Sequence, residues 1–159
     1  MFLRGCDEGR DFRGRKRLAR GSLVKSGKSP SVKRPLIEDT VAGIFVREGK
    51  FLVEKRRRND DSDPGFLAIP GGHVEKDESL HEALTRDMKE ELGVTIGRIT
   101  SVYVGLHRNT KGERDRIHYF LVDSWKGRIV PHEAESLYWE SDLHKLTATS
   151  DRKAMKRVL

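Results

Sequence analysis

With 159 residues, 35% of them hydrophobic and 36% charged, the chain is long enough for one domain with a packed core. No apolar run approaches a signal-peptide core or the length of a membrane-spanning helix, so no membrane partner is expected. A single cysteine, Cys6, excludes a disulfide framework within the chain and fits a reducing, cytoplasmic setting.

The net charge of +7 is unevenly placed. Residues 1–36 hold 11 Lys and Arg against 3 Asp and Glu, whereas residues 37–159 hold 21 against 22. The first segment is rich in Arg, Lys, Gly and Ser and has no periodicity. It is predicted to be a disordered basic tail, because it cannot bury enough surface to offset its ordering entropy. Such an arm suits contact with nucleic acid or an anionic surface, or it is a solvated extension. Asp7, Glu8 and Asp11 argue against a transit peptide.

The folded part, residues 37–159, begins with two apolar runs, 40–46 and 51–53, separated by Arg47-Glu48-Gly49-Lys50 and predicted to form a β-hairpin. The second run leaves into Lys55-Arg56-Arg57-Arg58. Either Arg56 or Arg57 suits a role in holding phosphates or carboxylates through forked hydrogen bonds. Residues 59–65 read as a loop. Ile69-Pro70-Gly71-Gly72 follows, an apolar strand end running into glycines, where backbone can approach a ligand closely.

Ser79 and Glu82 form a capping box, so a helix is predicted to start there and to stop at Gly93. Leu80, Leu84, Met88 and Leu92 make one apolar stripe on it. Asp87, Glu90 and Glu91, at i, i+3 and i+4, are expected to converge beside that stripe. Like charges that close call for a hard divalent cation with oxygen ligands, such as Mg²⁺.

Residues 99–105 and 117–122 read as two further strands, and the polar loop 108–115 between them as a lid or specificity element. Arg116 is a candidate for substrate binding, and Tyr103, Tyr119 and Phe66 are candidates for stacking on a base. Trp125 and Trp139 read as packing residues. A turn at Lys126-Gly127, a strand at 128–130, a short helix at 141–146 and a terminal helix at 150–159 begun by Ser150 or Asp151 complete the chain. The fold class is α/β, a mixed β-sheet flanked by helices. His73, His107, His118, His132 and His144 lack metal-ligand spacing, and no Gly-x-Ser-x-Gly elbow supports acyl chemistry.

Gly72, then Glu78 after five residues, then Arg86-Asp87-Met88-Lys89-Glu90-Glu91-Leu92-Gly93-Val94 after seven more, resembles the Nudix box. This is the loop-helix motif of hydrolases that split nucleoside diphosphates linked to another group. One position departs, since the family has glutamate where this chain has Asp87. The resemblance covers residues 38–158 in layout, with the box as its specific part, and implies the Nudix α/β/α sandwich. It further implies that Asp87, Glu90 and Glu91, with the Gly71 carbonyl, hold Mg²⁺ or Mn²⁺. Arg86 would then orient a glutamate, and Glu78 would brace the loop against the helix start. The general base would be a box glutamate or an acid on a distant loop, for which Glu133 and Glu135 qualify. The layout is similar to MutT-type members, which implies a nucleoside triphosphate substrate, oxidised ones included. Nucleotide sugars, dinucleoside polyphosphates and capped RNA ends belong to the same reaction class. A different class of function is a nucleic-acid-binding or regulatory protein on this scaffold, working through its basic tail. A homodimer is compatible with the sequence.

Overall fold

The computed structural model describes residues 36–159, so all but the last residue of the basic tail lie outside the described residues. The elements, in chain order, begin with β1 (Ile37–Ile44), β2 (Val46–Arg47), β3 (Lys50–Lys55), β4 (Leu67–Ala68) and β5 (Gly71–His73). Helix α1 (Leu80–Leu92) follows, then β6 (Thr95–Ile96), β7 (Ile99–Arg108), β8 (Arg114–Val122), β9 (Trp125–Lys126) and β10 (Ser136–Glu140). A 3₁₀ turn, Leu143–Lys145, and helix α2 (Thr149–Met155) close the chain.

The main sheet has the order β5-β1-β8-β7. It is mixed, because β1 runs parallel to β8 and antiparallel to β5, and β7 runs antiparallel to β8. A second sheet has the order β10-β3-β2, with β4 also on β3, and β6 pairs with β9. Period-two alternation divides β1 between two cores. Val41 packs under α1 with Leu84, Met88 and Leu92, whereas Ala42 and Ile44 pack with Ala154 and Met155 of α2. The result is the α/β/α sandwich expected. Gly43 is what lets α1 sit so low, since a Cβ there would lie 2.9 Å from Met88 Sδ.

Helix α1 starts and stops where its sequence signals it. Both halves of the capping box form, with Glu82 N–H donating to Ser79 Oγ at 3.2 Å and Ser79 N–H donating to Glu82 Oε2 at 2.9 Å. Gly93 takes the left-handed conformation at φ 71° and donates its N–H back to the Lys89 carbonyl.

Several elements differ from the sequence expectation, among them the helix expected at 141–146, which is only the 3₁₀ turn Leu143–Lys145. The predicted hairpin is only the short β2–β3 pair turned by Glu48 and Gly49, both at positive φ. The longer run before it, β1, pairs instead with β5 and β8. Residues 128–130 form no strand, because this segment caps α1: Val130 and His132 donate their N–H groups to the Leu92 and Glu91 carbonyls, two of the orphan acceptors at the helix end. The second sheet gains β10 in its place. Finally, α2 begins at Thr149 with no side-chain cap, so Ser150 and Asp151 lie within it, buried.

Candidate active site

Between the two larger sheets and the C-terminal end of α1 opens a cleft of about 300 Å³. One wall is Gly71 and Gly72, another is Glu91 of α1, and β3 contributes Glu54 and Arg56. Glu133, from the segment that caps α1, reaches the rim, and Phe66, Asp63 and His107 line the far end.

Several acids converge near this cleft, in two groups. Arg86 gathers the first. Its guanidinium donates to both oxygens of Glu78 at 2.9 Å, to the His73 carbonyl at 3.0 Å, to Asp87 Oδ1, and to Glu90 Oε2 at 3.4 Å. Glu78 in turn accepts from the Glu75 N–H at 2.9 Å, which ties the loop before α1 to the helix. The Arg86 hydrogen bonds hold the Glu78 carboxyl below its ordinary range. Asp87 is buried, and its Oδ2 has no hydrogen-bond partner. It lies against Gly72, where a Cβ would come within 2.6 Å of the carboxylate, so only glycine leaves room for it. Burial raises Asp87 to a pKa of about 6, against the pull of Arg86.

The second group faces the cleft. Glu91 Oε2 is buried without a partner. Burial pushes the Glu91 pKa up, and the neighbouring Glu54 charge adds to it. Glu54 is raised as well, again chiefly by burial. Two unpartnered carboxylate oxygens beside a glycine-lined backbone are the donor chemistry that a hard divalent cation satisfies. Glu38, His73 and Asp115 form a further group, with ligand atoms all within 4.8 Å of one another, able to hold a metal ion at the edge of the cleft.

The other residues expected at the site are spread more widely. Gly71, Glu91, Arg56, Glu133 and Phe66 share the cleft. Glu90 is exposed on the Arg86 side. Glu135 is paired with Lys55 at 2.9 Å, and Arg57 donates to the His132 carbonyl at 3.3 Å, so of the two arginines Arg56 is the one that lines the cleft. Arg116 corrects the expectation. Period two turns it to the opposite face of β8 from the cleft residues Asp115 and Ile117, where it pairs with Asp39 at 3.5 Å. Tyr119 is a second correction: it is fully buried, its hydroxyl donates to Asp151 Oδ1 at 2.6 Å, and its ring offers no face to a base. Tyr103 packs on Tyr119 with ring centroids 5.9 Å apart rather than lining the cleft. The loop after β7 is latched, since Thr110 N–H donates to Asp63 Oδ1 at 2.8 Å and His107 Nε2 lies 2.6 Å from Asp63 Oδ2.

Sequence reasoning does not single out Glu54, Asp63, His107, Asp115 or Asp151 for this cleft. Glu54 carries a signal, being one acid closing the buried apolar run Phe51-Leu52-Val53. The others depend on which strands meet.

The NUDIX domain profile matches residues 38–159, so the chain belongs to the Nudix family and is an enzyme of that hydrolase class. Among curated proteins it is 36% identical to the CTP pyrophosphohydrolase of Escherichia coli strain K12, over 64% of this chain and 73% of that one. It is 30% identical to the 8-oxo-dGTP diphosphatase of Buchnera aphidicola subsp. Schizaphis graminum, over 62% and 73%. It is 35% identical to the ADP-ribose pyrophosphatase of Methanocaldococcus jannaschii, over 56% and 52%. Among solved structures, the MutT NUDIX hydrolase of Burkholderia pseudomallei matches with a TM-score of 0.69 at 27% identity, over 78% of this chain and 99% of that one. No helix among the described residues is long and apolar enough to cross a membrane.

Proposed function

We propose that this enzyme is a Mg²⁺-dependent nucleotide pyrophosphohydrolase that splits a phosphoanhydride bond in a nucleoside diphosphate linked to another group. A nucleoside triphosphate, oxidised ones included, is the substrate we favour. The observation that carries the reading is the pair of buried, unpartnered oxygens, Glu91 Oε2 in the cleft that Gly71, Gly72 and Arg56 also line, and Asp87 Oδ2 packed against Gly72. The names of two relatives, a CTP pyrophosphohydrolase and an 8-oxo-dGTP diphosphatase, support the triphosphate. A cytoplasmic setting, where Cys6 stays reduced, belongs to the same proposal.

Asp87, Glu90, Glu91 and the Gly71 carbonyl would hold the cation, with Mn²⁺ an acceptable substitute. When bound, it supplies charge for the developing phosphate oxygens and an acidified water. The protein's own groups do the rest. Arg56 binds a phosphate that is not cleaved, Arg86 fixes the carboxylates, Glu78 holds the loop, and Glu133 is placed at the rim to accept a proton from water.

The test is a panel of CTP, dGTP, 8-oxo-dGTP and ADP-ribose, incubated with the full chain with and without Mg²⁺. Expected is metal-dependent release of nucleoside monophosphate and pyrophosphate from at least one triphosphate. Turnover of ADP-ribose alone would replace the substrate assignment, and no metal-dependent product from any of the four would overturn the reading. In the same assay Glu91→Gln should lower the rate by about 100-fold or more while remaining folded, because it removes a buried unpartnered charge.

A further inference from the structure

We propose that Glu54 is a ligand of the cation centre, reaching it from β3, across the cleft from α1. This rests on the cation-dependent reading of the site given above.

The argument begins with the alternation of β3. Leu52 packs in the core beneath α1, whereas Phe51 and Val53 pack in the other core, toward α2. A period of two therefore places Glu54 on the α1 side, in the row Leu52, Glu54, Arg56. It remains only 6% exposed, a carboxylate at the end of an otherwise apolar buried run. Its direct cross-strand neighbours are Ala68 on β4 and Leu137 on β10, and neither side chain can donate a hydrogen bond.

The nearby cation does not satisfy it. Arg56 Nη1 stands 3.8 Å from Glu54 Oε1, beyond hydrogen-bond distance, while Arg56 Nε donates to the Ser62 carbonyl at 3.2 Å and lies 3.6 Å from Asp60. Across the cleft is Glu91, with its own buried unpartnered oxygen, and Glu133 stands at the rim. Burying carboxylates against one another costs several kcal/mol each unless charge or donors arrive from elsewhere. An oxygen-loving divalent cation held between β3 and α1 satisfies both walls at once. A shared proton is the competing account, and it satisfies a single pair of oxygens. The Glu38, His73 and Asp115 group makes no such demand, because Glu38 and His73 are 58% and 60% exposed and keep their water.

Geometry thus gives the centre two opposed supports, one on a helix and one on a strand. Direct Mn²⁺ binding to the full chain without nucleotide, followed by the paramagnetic resonance signal of the free ion, tests this. Expected is an affinity lowered by about 10- to 100-fold in Glu54→Gln, with the metal-free variant melting no lower than the parent. Glu54→Asp keeps the charge on a shorter arm and should fall between the two, which secures the test if the amide misfolds. An affinity within about twofold of the parent in both variants, against the same 10- to 100-fold scale, overturns the inference. Glu91→Gln measured alongside separates the two readings. Weak binding there with normal binding in the Glu54 variants overturns only the role of Glu54, whereas normal binding in all three overturns the cation centre itself.

Discussion

Asp87 carries one methylene fewer than the family's glutamate, and a Cβ on Gly72 would come within 2.6 Å of its carboxylate. Mg²⁺ demands short distances and near-octahedral geometry, and Mn²⁺ tolerates more. Asp87→Asn should therefore lower turnover with both ions, while Asp87→Glu should raise Mg²⁺-supported turnover relative to Mn²⁺. Rates across a titration of each metal check both, and indifference to Asp87→Asn would remove the residue from the centre. Asp151 offers a separate test by pH. Burial raises its pKa from 3.8 to about 6 even though it accepts from Tyr119 and from the Ile69 N–H. A folded state that binds the proton more tightly than the unfolded chain loses stability as pH rises from about 4 to about 6, by at most about 3 kcal/mol. Asp151→Asn cannot titrate, so its melting temperature relative to the parent should climb over that window and level off above it.

At the level of elements, the contributions of a cap and of a close contact separate cleanly. Ser79→Ala removes one end of the capping box and should cost about 1 kcal/mol. Gly71→Ala should cost more than about 3 kcal/mol, because its Cβ would meet the Val41 carbonyl at 2.0 Å and drive β5 from β1. Chemical denaturation of both variants measures the difference, and near-equal losses would contradict it. Helix α1 was legible because its signals are local: Ser79, Glu82, the stripe of four apolar residues and Gly93 all lie within 15 positions. The pairing of β1 was not, since an apolar run does not say whether it joins its sequence neighbour or a strand far along the chain. Residues 128–130 look like a strand until the helix end that needs their N–H groups is in place. The box residues are found by spacing, but the division between an Arg86 group and a cleft group depends on burial. Arg116 and Tyr119 differ for separate reasons. Arg116 is on the face of β8 away from the cleft, whereas Tyr119 shares the face of Asp115 and Ile117 but is buried in the core with Ala154 and Met155 of α2. Neither the face nor the depth is written in the strand's own sequence.

For the whole molecule, the charge balance makes a prediction about partners. Residues 37–159 are close to neutral, so removing residues 1–36 takes away all of the excess positive charge. Hydrolysis of free nucleotides should then stay within about twofold of the full chain, while any binding to RNA or DNA should weaken and lose its steep dependence on salt. Enzyme assays and binding titrations at two salt concentrations decide it, and a truncated chain that no longer hydrolyses nucleotides would give the tail a part in catalysis. The parallel ladder between β1 and β8 has a consequence of another kind. It sets Ile37 opposite Arg114, 77 positions later, so the strand that begins the main sheet waits for a distant partner. Loop-closure entropy on that scale must be met before the ladder returns anything, which slows folding and leaves β1 open-edged in the meantime. During synthesis helix α1 emerges complete while β8 is still to be made, and the cleft, lined by residues from Thr40 to Asp151, cannot close until the late elements join it.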